Sequence, residues 1–154
     1  MALRLSTGLR NALVGTGGQG FGEIMNGGWI DIYTGSQPLH ADYVETGTKL
    51  ARISSTSGTA LADGLKVGSA AAGVLPIGTP AWSGVILATG VAGWFRFYAS
   101  AGTAIGGYAG TSGTAIRFDG AIGISGSELD LTHTSLTVGA TITLNEANVT
   151  QPEE

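Results

Sequence analysis

The chain has 154 residues and a formal net charge of −4, contains no cysteine, and has only 12% charged residues. A chain of this length can bury a core as one domain, and the lack of cysteine excludes disulfides and thiolate metal sites. A hydrophobic content of 43% does not fit a disordered chain. The acidic balance, without a basic stripe, argues against nucleic acid as a main partner.

The most apolar stretch of the chain, residues 84–110, is not a membrane helix, because Arg96 and many glycines interrupt it. The first residues lack the apolar core of a signal peptide. We therefore expect no membrane partner and no export by a standard signal. A surface of Gly, Ser, Thr and Ala suits contact with other protein, because little charge is desolvated on docking. The alternative is that hydroxyl groups simply keep a monomer soluble.

One short helix is predicted near the start of the chain. Ser6 is a good N-cap, Leu9 and Leu13 lie one turn apart with Ala12 beside them, and Gly15 supplies a stop. Such a helix is marginal alone in water, so it must pack on something.

This helix suggests a division of the chain into two parts. We predict an N-terminal helical arm with a Gly-rich hinge over residues 1–28, and a β-sandwich body over residues 29–154. The arm would contact a neighbouring subunit, and we assign to that interface Leu5, Leu9, Arg10 and Leu13.

The rest of the chain shows short strands separated by Gly, Ser and Thr, which indicates an all-β fold, a β-sandwich or jelly roll. Alternation at 29–33 places Ile30 and Ile32 on one face and Asp31 with the aromatic residues on the other. The apolar run at 85–88 predicts a buried strand. The other predicted strands are 49–53, 94–98, 116–118, 129–131 and 140–144.

Two stretches, 56–64 and 111–120, resemble each other, and each ends in the Asp-Gly pair that is typical of hairpins. They could mark two equivalent corners of a sandwich. Chance reuse of turn residues is the alternative.

The strand at 94–98 carries an unusual outer face. Trp94, Arg96 and Tyr98 share one side, opposite Phe95 and Phe97. We assign the three residues to a protein interface, where Trp, Tyr and Arg are enriched. Stacking of a sugar or base, and burial under the N-terminal arm, are the alternatives.

No motif with a catalytic or cofactor-binding mechanism has the context that it needs. The sequence at 15–20 matches G-x-G-x-x-G, but a helix precedes it and the segment after it is too short for a phosphate-binding helix. His40 and His133 lie in polar, turn-like sequence, and although His40 and Asp42 could share a metal, no third ligand lies near them. Asp31 and Asp119 fit no calcium loop, and surface or hairpin roles account for them. We predict a protein that is not an enzyme, with no catalytic residue, cofactor or metal.

Several blocks of the sequence together resemble small virion structural proteins of tailed bacteriophages, particularly head cement or decoration proteins. The most distinctive block is Ile-Asp-Ile-Tyr-Thr-Gly-Ser-Gln-Pro at 30–38. The other blocks are 3–11, 41–42, 46–51, 82–84, 88–96 and 119–120. The resemblance therefore covers most of the chain.

This resemblance implies a β-sandwich or jelly-roll-like body and a role in assembly. The implied partners are the chain itself, as a dimer or trimer, and the major capsid protein, whose subunits it would clamp at their junctions. The implied location is the capsid surface of the virion, after synthesis in the host cytoplasm. A tail-associated adaptor or tube protein and a carbohydrate-binding module using Trp94, Arg96 and Tyr98 are the alternatives.

Overall fold

A computed structural model describes residues 3–15, 20–55, 64–99 and 115–144, and the backbone alone of 148–150. The described chain is mostly strand with two short helices, which confirms the predicted all-β fold. The helices are α1 (Thr7–Val14) and α2 (Phe21–Met25). The strands are β1 (Arg4–Leu5), β2 (Trp29–Thr34), β3 (Lys49–Ile53), β4 (Val74–Pro76), β5 (Trp82–Val85), β6 (Gly90–Tyr98), β7 (Arg117–Gly123), β8 (Leu129–Asp130), β9 (Ser135–Leu136), β10 (Thr141–Leu144) and β11 (Asn148–Thr150).

The central sheet has the strand order β1-β7-β6-β2-β3, and every neighbouring pair along it is antiparallel. Strand β8 adds to β7 in parallel, and β9 adds to β6. Two smaller sheets, β5-β10 and β4-β11, complete the structure. Isolated bridges from β3 and Ser54 to Ser83 and Ile86 connect the central sheet to the β5 region.

The inner face of the central sheet supplies the core. One row of apolar side chains crosses all five strands in register, because their periodicity of two puts them on the same side. The row consists of Leu5, Phe118, Phe97, Ile30 and Ile53.

The second layer covers this inner face. Leu75 of β4, Trp82 of β5 and Leu144 of β10 face Ile30 and Phe95 across a cavity of about 100 Å³. The packing of these layers around one core is that of a β-sandwich.

Helix α1 begins and ends as its sequence predicts. The Ser6 hydroxyl accepts the backbone N–H of Leu9 at 3.1 Å, and the helix ends at Gly15. The same hydroxyl donates to the Ala115 carbonyl at 2.7 Å and accepts the Arg117 backbone N–H at 3.1 Å. One side chain therefore caps the helix and fastens it to the strand beneath.

The N-terminal segments that the structure describes pack directly on the body. Strand β1 pairs with β7, and Leu9, Ile24 and Met25 lie in the same core as the central sheet. The narrow apolar stripe of α1 is thus buried against the body. Residues 16–19 of the predicted hinge lie outside the described residues, and the division of the chain at residue 28 stays a prediction.

Helix α2 follows the glycine-rich motif, was not predicted as an element, and is as short as the sequence required. It has only five residues, and the Glu23 side chain accepts the backbone N–H of its N-cap, Gly20, at 3.1 Å. Its inward residues, Ile24 and Met25, are buried in the core. Tertiary packing stabilises this helix, which is too short to be recognised from periodicity.

Two strand expectations are wrong in detail. The run at 85–88 is not continuously buried, since Val85 and Leu87 are exposed and Ile86 is buried. The Asp119-Gly120 pair lies within β7 and forms no hairpin. A Cβ on Gly120 would lie 2.5 Å from the Phe95 ring, so the glycine permits close packing and not a turn. Most of the two similar stretches, 56–64 and 111–120, lies outside the described residues.

Candidate functional site

The outer face of the central sheet carries a row of charged residues of alternating sign. The register aligns Arg4 with Asp119, Asp119 with Arg96, Arg96 with Asp31, and Asp31 with Arg52. Each residue comes from a different strand, and side chains of paired residues lie on the same face. We call these five residues the charge ladder.

Two bidentate ion pairs form the centre of the charge ladder. Arg96 donates from Nε and Nη2 to the two Asp119 carboxylate oxygens at 2.6 and 2.7 Å. Arg52 donates in the same way to Asp31 at 2.7 and 2.8 Å, and Lys49 Nζ reaches Asp31 at 3.3 Å. The side chains of Arg96 and Asp119 are fully buried. A buried pair of this kind is tolerated only when its hydrogen bonds are satisfied.

Aromatic rings flank the charge ladder on both sides. Tyr33 stacks on Trp94 with ring centroids 4.6 Å apart, and Trp29 stacks on Tyr98 at 5.9 Å. The Arg52 guanidinium lies 4.7 Å from the Trp29 ring centroid, which is a cation–π contact. The rings restrict the arginine side chains, and the Arg96–Asp119 pair beside them is closed to water, whereas Arg52 keeps 25% of its side chain exposed.

The segment of residues 37–45, which we call the cover segment, lies over this face and is held through its backbone. Arg4 Nη1 donates to the carbonyls of Gln37 and Pro38. Arg96 Nη1 donates to the Tyr43 carbonyl at 2.8 Å. Arg117 Nη2 donates to the carbonyl of Asp42 at 3.1 Å.

Two carboxylates of the cover segment add side-chain contacts. Both Asp42 oxygens accept the Thr7 backbone N–H at 3.1 Å, and the Thr7 hydroxyl donates to one of them at 2.7 Å. Glu45 accepts the Tyr98 hydroxyl and lies 3.3 Å from Arg96 Nη1. The cover segment therefore joins the first turn of α1 to the charge ladder.

Protonation equilibria in this layer follow from burial and from the ion pairs. Burial by itself would lower the pKa of Arg96, but the hydrogen bonds and charge of Asp119 outweigh it and raise that pKa. Burial raises the pKa of Asp119 and exceeds the opposing effect of Arg96. Burial also raises the pKa of Tyr33 to about 12. Burial would raise the pKa of Glu45, yet its hydrogen bonds to Tyr98 and the backbone, with the charge of Arg96, lower it.

The turn of the cover segment presents apolar side chains to solvent. Leu39 is 73% exposed, Tyr43 53% and Val44 57%. The ring of His40 makes an edge contact with Tyr43 at 4.9 Å, and the Tyr43 N–H bonds to the His40 carbonyl. We call these four residues the apolar tip.

The structure buries the face of β6 that the sequence assigned to a protein interface. Trp94, Arg96 and Tyr98 do share one face, but all three are buried. The assignment of these residues to an open interface is therefore wrong in this structure. The cover segment, which belongs to the connection between β2 and β3, lies over Arg96 and Tyr98, whereas the alternative from the sequence was burial under the N-terminal arm.

The four interface residues assigned to the arm are divided between core and surface. Leu9 is fully buried and Leu5 packs partly against the core. Arg10 and Leu13 are exposed, and Arg10 donates to the Thr7 hydroxyl at 3.2 Å. Only Arg10 and Leu13 are therefore open to a neighbouring subunit in this conformation.

The side chains considered for catalysis or metal binding occupy separate places. His40 belongs to the apolar tip, and His133 is exposed with a contact to the Thr132 hydroxyl at 3.1 Å. Within the described ranges, no three His, Cys, Asp or Glu residues group closely enough to hold a metal. No helix in the described part of the chain is long and apolar enough to cross a membrane.

The chain matches no protein-family model, no curated protein and no solved structure. The arrangement itself has a clear physical consequence. Buried ion pairs fix the strand register and hold the backbone of the cover segment, whereas the apolar tip faces outward. This geometry suits the presentation of a rigid surface to another protein.

Proposed function

We propose that the protein is a non-enzymatic structural component that acts by packing into a larger assembly. The resemblance of its sequence to virion proteins gives the specific form of the proposal. In that form it is a head cement or decoration protein that binds at junctions between major capsid subunits and stabilises the head.

The observation that carries the proposal is that nearly all of the positively charged side chains are buried or half-buried. The chain has seven Lys and Arg residues. Arg96 and Arg117 are buried, and Arg4, Lys49 and Arg52 are half-buried against the cover segment or Asp31. Lys66 is also half-buried. Arg10 is the one basic side chain that is largely exposed. A surface so poor in positive charge can dock on protein with little desolvation cost, and it does not suit a polyanion.

Preferential binding explains how such a protein would stabilise a shell. A protein that binds the assembled junction, and not free subunits, shifts the assembly equilibrium by mass action. Many copies on one shell would add avidity without strong individual contacts. The charge ladder supports this role because it gives a rigid framework, which reduces the entropy lost on binding.

The packing of α1 changes how the arm would take part. Because Leu9 is fully buried in the chain's own core, it is not available to a neighbour. The exposed side of α1, with Arg10 and Leu13, is the part left for such a contact. Deletion of residues 1–14 is therefore a poor test, since it would also remove core packing.

The two alternatives differ in support. The carbohydrate-binding alternative used Trp94, Arg96 and Tyr98, which are buried and present no open stacking surface. The tail-associated alternative keeps the same logic of assembly and differs only in location.

Localisation on intact particles tests the proposal. We expect gold-labelled antibody against the chain, viewed by electron microscopy on purified particles, to decorate the head. Particles made without the protein serve as the control, and addition of the purified chain should restore the label. Label confined to the tail would support the alternative, and the absence of particle-bound label would contradict an assembly role.

A further inference from the structure

The connection between β2 and β3 is longer than a connection between adjacent antiparallel strands needs to be. Residues 35–48 contain no helix or strand of their own, although they join adjacent antiparallel strands. Hairpin connections usually need only about 2–5 residues, and connections longer than about 12 are commonly functional. The additional length forms the cover segment and carries the apolar tip.

The manner of anchoring favours recognition by the exposed side chains. Three arginines, Arg4, Arg96 and Arg117, donate to main-chain carbonyls of the cover segment. These hydrogen bonds fix the backbone and leave Leu39, Tyr43 and Val44 exposed. A loop already held in one conformation loses less entropy when it binds a partner. An exposed apolar loop that the protein already holds in one conformation is therefore well suited to binding a partner.

The apolar tip is also free of uncompensated charge. The two carboxylates in the cover segment are both engaged, Asp42 by Thr7 and Glu45 by Arg96 and Tyr98. The side chains that face outward at the turn are Leu39, His40, Tyr43 and Val44, and Glu45 beside them is 35% exposed while it pairs with Arg96.

We propose that the apolar tip is a contact for a second copy of this chain. Two copies that each carry a net charge of −4 repel one another, so they approach most readily through a face whose carboxylates are already paired. A symmetric contact also places each residue against the same patch on its partner, which neutral apolar residues tolerate. Tyr43 supplies the aromatic side chain that commonly dominates such contacts.

The area of the apolar tip sets the strength of this contact. A stable interface uses about 20–30 residues on each side, and the apolar tip offers four. The self-association is therefore weak and depends on concentration. The inference rests on the proposed function in one respect, because copies held side by side on a shell would reinforce a weak contact.

Sedimentation equilibrium of the full chain tests this contact from micromolar to millimolar concentration. The mass of the wild type should rise above the monomer value of 15.4 kDa as concentration increases. A variant with Leu39→Ser and Val44→Ser should remain at the monomer mass. The matched control carries Val85→Ser and Leu87→Ser, which changes the same residue types at exposed positions elsewhere. The control should associate like the wild type.

A second variant strengthens the test. Leu39→Asp alone places a carboxylate against its own copy and should abolish the association, whereas circular dichroism should show an unchanged fold because the position is exposed. A wild type that stays monomeric throughout, a tip variant that still associates, or a control that also dissociates would overturn the inference. A tip variant that associates normally but no longer binds particles would assign the tip to the shell protein instead.

The two proposals can fail separately. A monomeric wild type that still labels the head would end the self-association inference and leave the assembly role intact. If the protein associates through the apolar tip but never labels particles, the self-association inference stands and the assembly role is wrong.

Discussion

Arg96 and Asp119 are the most deeply buried charges in the described structure, and each depends on the other. Both side chains are fully buried and share two short hydrogen bonds. Removing Arg96 leaves the Asp119 carboxylate buried without its ion pair, and removing Asp119 leaves Arg96 with only the partly exposed Glu45 as an anionic partner. Breaking a buried pair in this way costs about 3–5 kcal/mol. We expect Arg96→Met and Asp119→Leu each to lower the free energy of unfolding by about this amount. The double variant should lose less than the sum, because neither member of the buried pair is left alone and Glu45, which loses Arg96, is partly open to water.

Guanidinium-induced unfolding of the four proteins in this cycle measures the coupling. Additive losses would show that the two side chains do not depend on each other, contrary to the geometry. The control is Glu23→Gln, which replaces an exposed carboxylate away from the charge ladder. The glutamine oxygen can still accept the Gly20 N–H, so stability should change by no more than about 0.5 kcal/mol.

The charge ladder is visible in the sequence as single charged residues between apolar ones, but this alternation does not show whether the charged face is buried. Single charges stand between apolar neighbours in Leu3-Arg4-Leu5, Ile30-Asp31-Ile32, Ala51-Arg52-Ile53 and Phe95-Arg96-Phe97. The two faces of these strands were predictable from this pattern. Whether the charged face is open or covered depends on a loop elsewhere, so Asp31 and Asp119 were assigned surface and hairpin roles although both are buried.

At the scale of elements, the cover segment should respond to acid through Glu45. Hydrogen bonds and Arg96 hold the pKa of Glu45 below its ordinary value of 4.5. Its contribution to stability is therefore complete above pH 4.5 and is lost as the pH falls through the lower pKa of the folded state. We expect the Glu45→Gln variant to lose less stability than the wild type between neutral pH and about pH 3.

Urea unfolding of both proteins across this range measures the difference. Asp119, whose raised pKa acts in the opposite direction, is present in both proteins. Because the charge of Glu45 contributes to raising that pKa, the difference between the proteins reports Glu45 together with its effect on Asp119. If the free energy of unfolding falls by the same amount with pH in the wild type and the variant, the assigned contacts of Glu45 are contradicted.

Helix α1 offers a matched pair of leucines on its two sides. Leu9 is fully buried, whereas Leu13 is 39% exposed. Leu9→Ala should lower the free energy of unfolding by about 2–5 kcal/mol, because it leaves a cavity in the common core. Leu13→Ala should cost much less. Denaturant unfolding checks both, and equal small effects would mean that α1 is a detached arm after all.

The two helices show which elements local sequence can predict. Helix α1 was predicted because its cap at Ser6 and the spacing of its leucines are local signals. Helix α2 was missed because five residues are too few for a periodic pattern, and burial of Ile24 and Met25 stabilises it. The run at 85–88 was assigned a buried strand from composition, whereas Val85 and Leu87 face solvent.

At the scale of the whole molecule, the all-β class followed from sequence, but β1, β4, β9 and β11 were not predicted, and neither were the neighbours of any strand in a sheet. Strand β1 at Arg4 lies beside β7 at Asp119, more than a hundred residues away along the chain. No local property of either segment specifies that pairing. The site depends on it, because the charge ladder exists only when five distant strands are in this order.

The alternation of sign across the charge ladder has a consequence for folding. In the native order, each charged residue has a neighbour of opposite sign on the next strand. Exchange of any two adjacent interior strands would set arginine against arginine and aspartate against aspartate in a water-poor layer, and like charges directly opposite destabilise a sheet. A shift of one residue would turn the charges into the core. The same five residues that stabilise the native sheet therefore also reject its nearest misassembled forms.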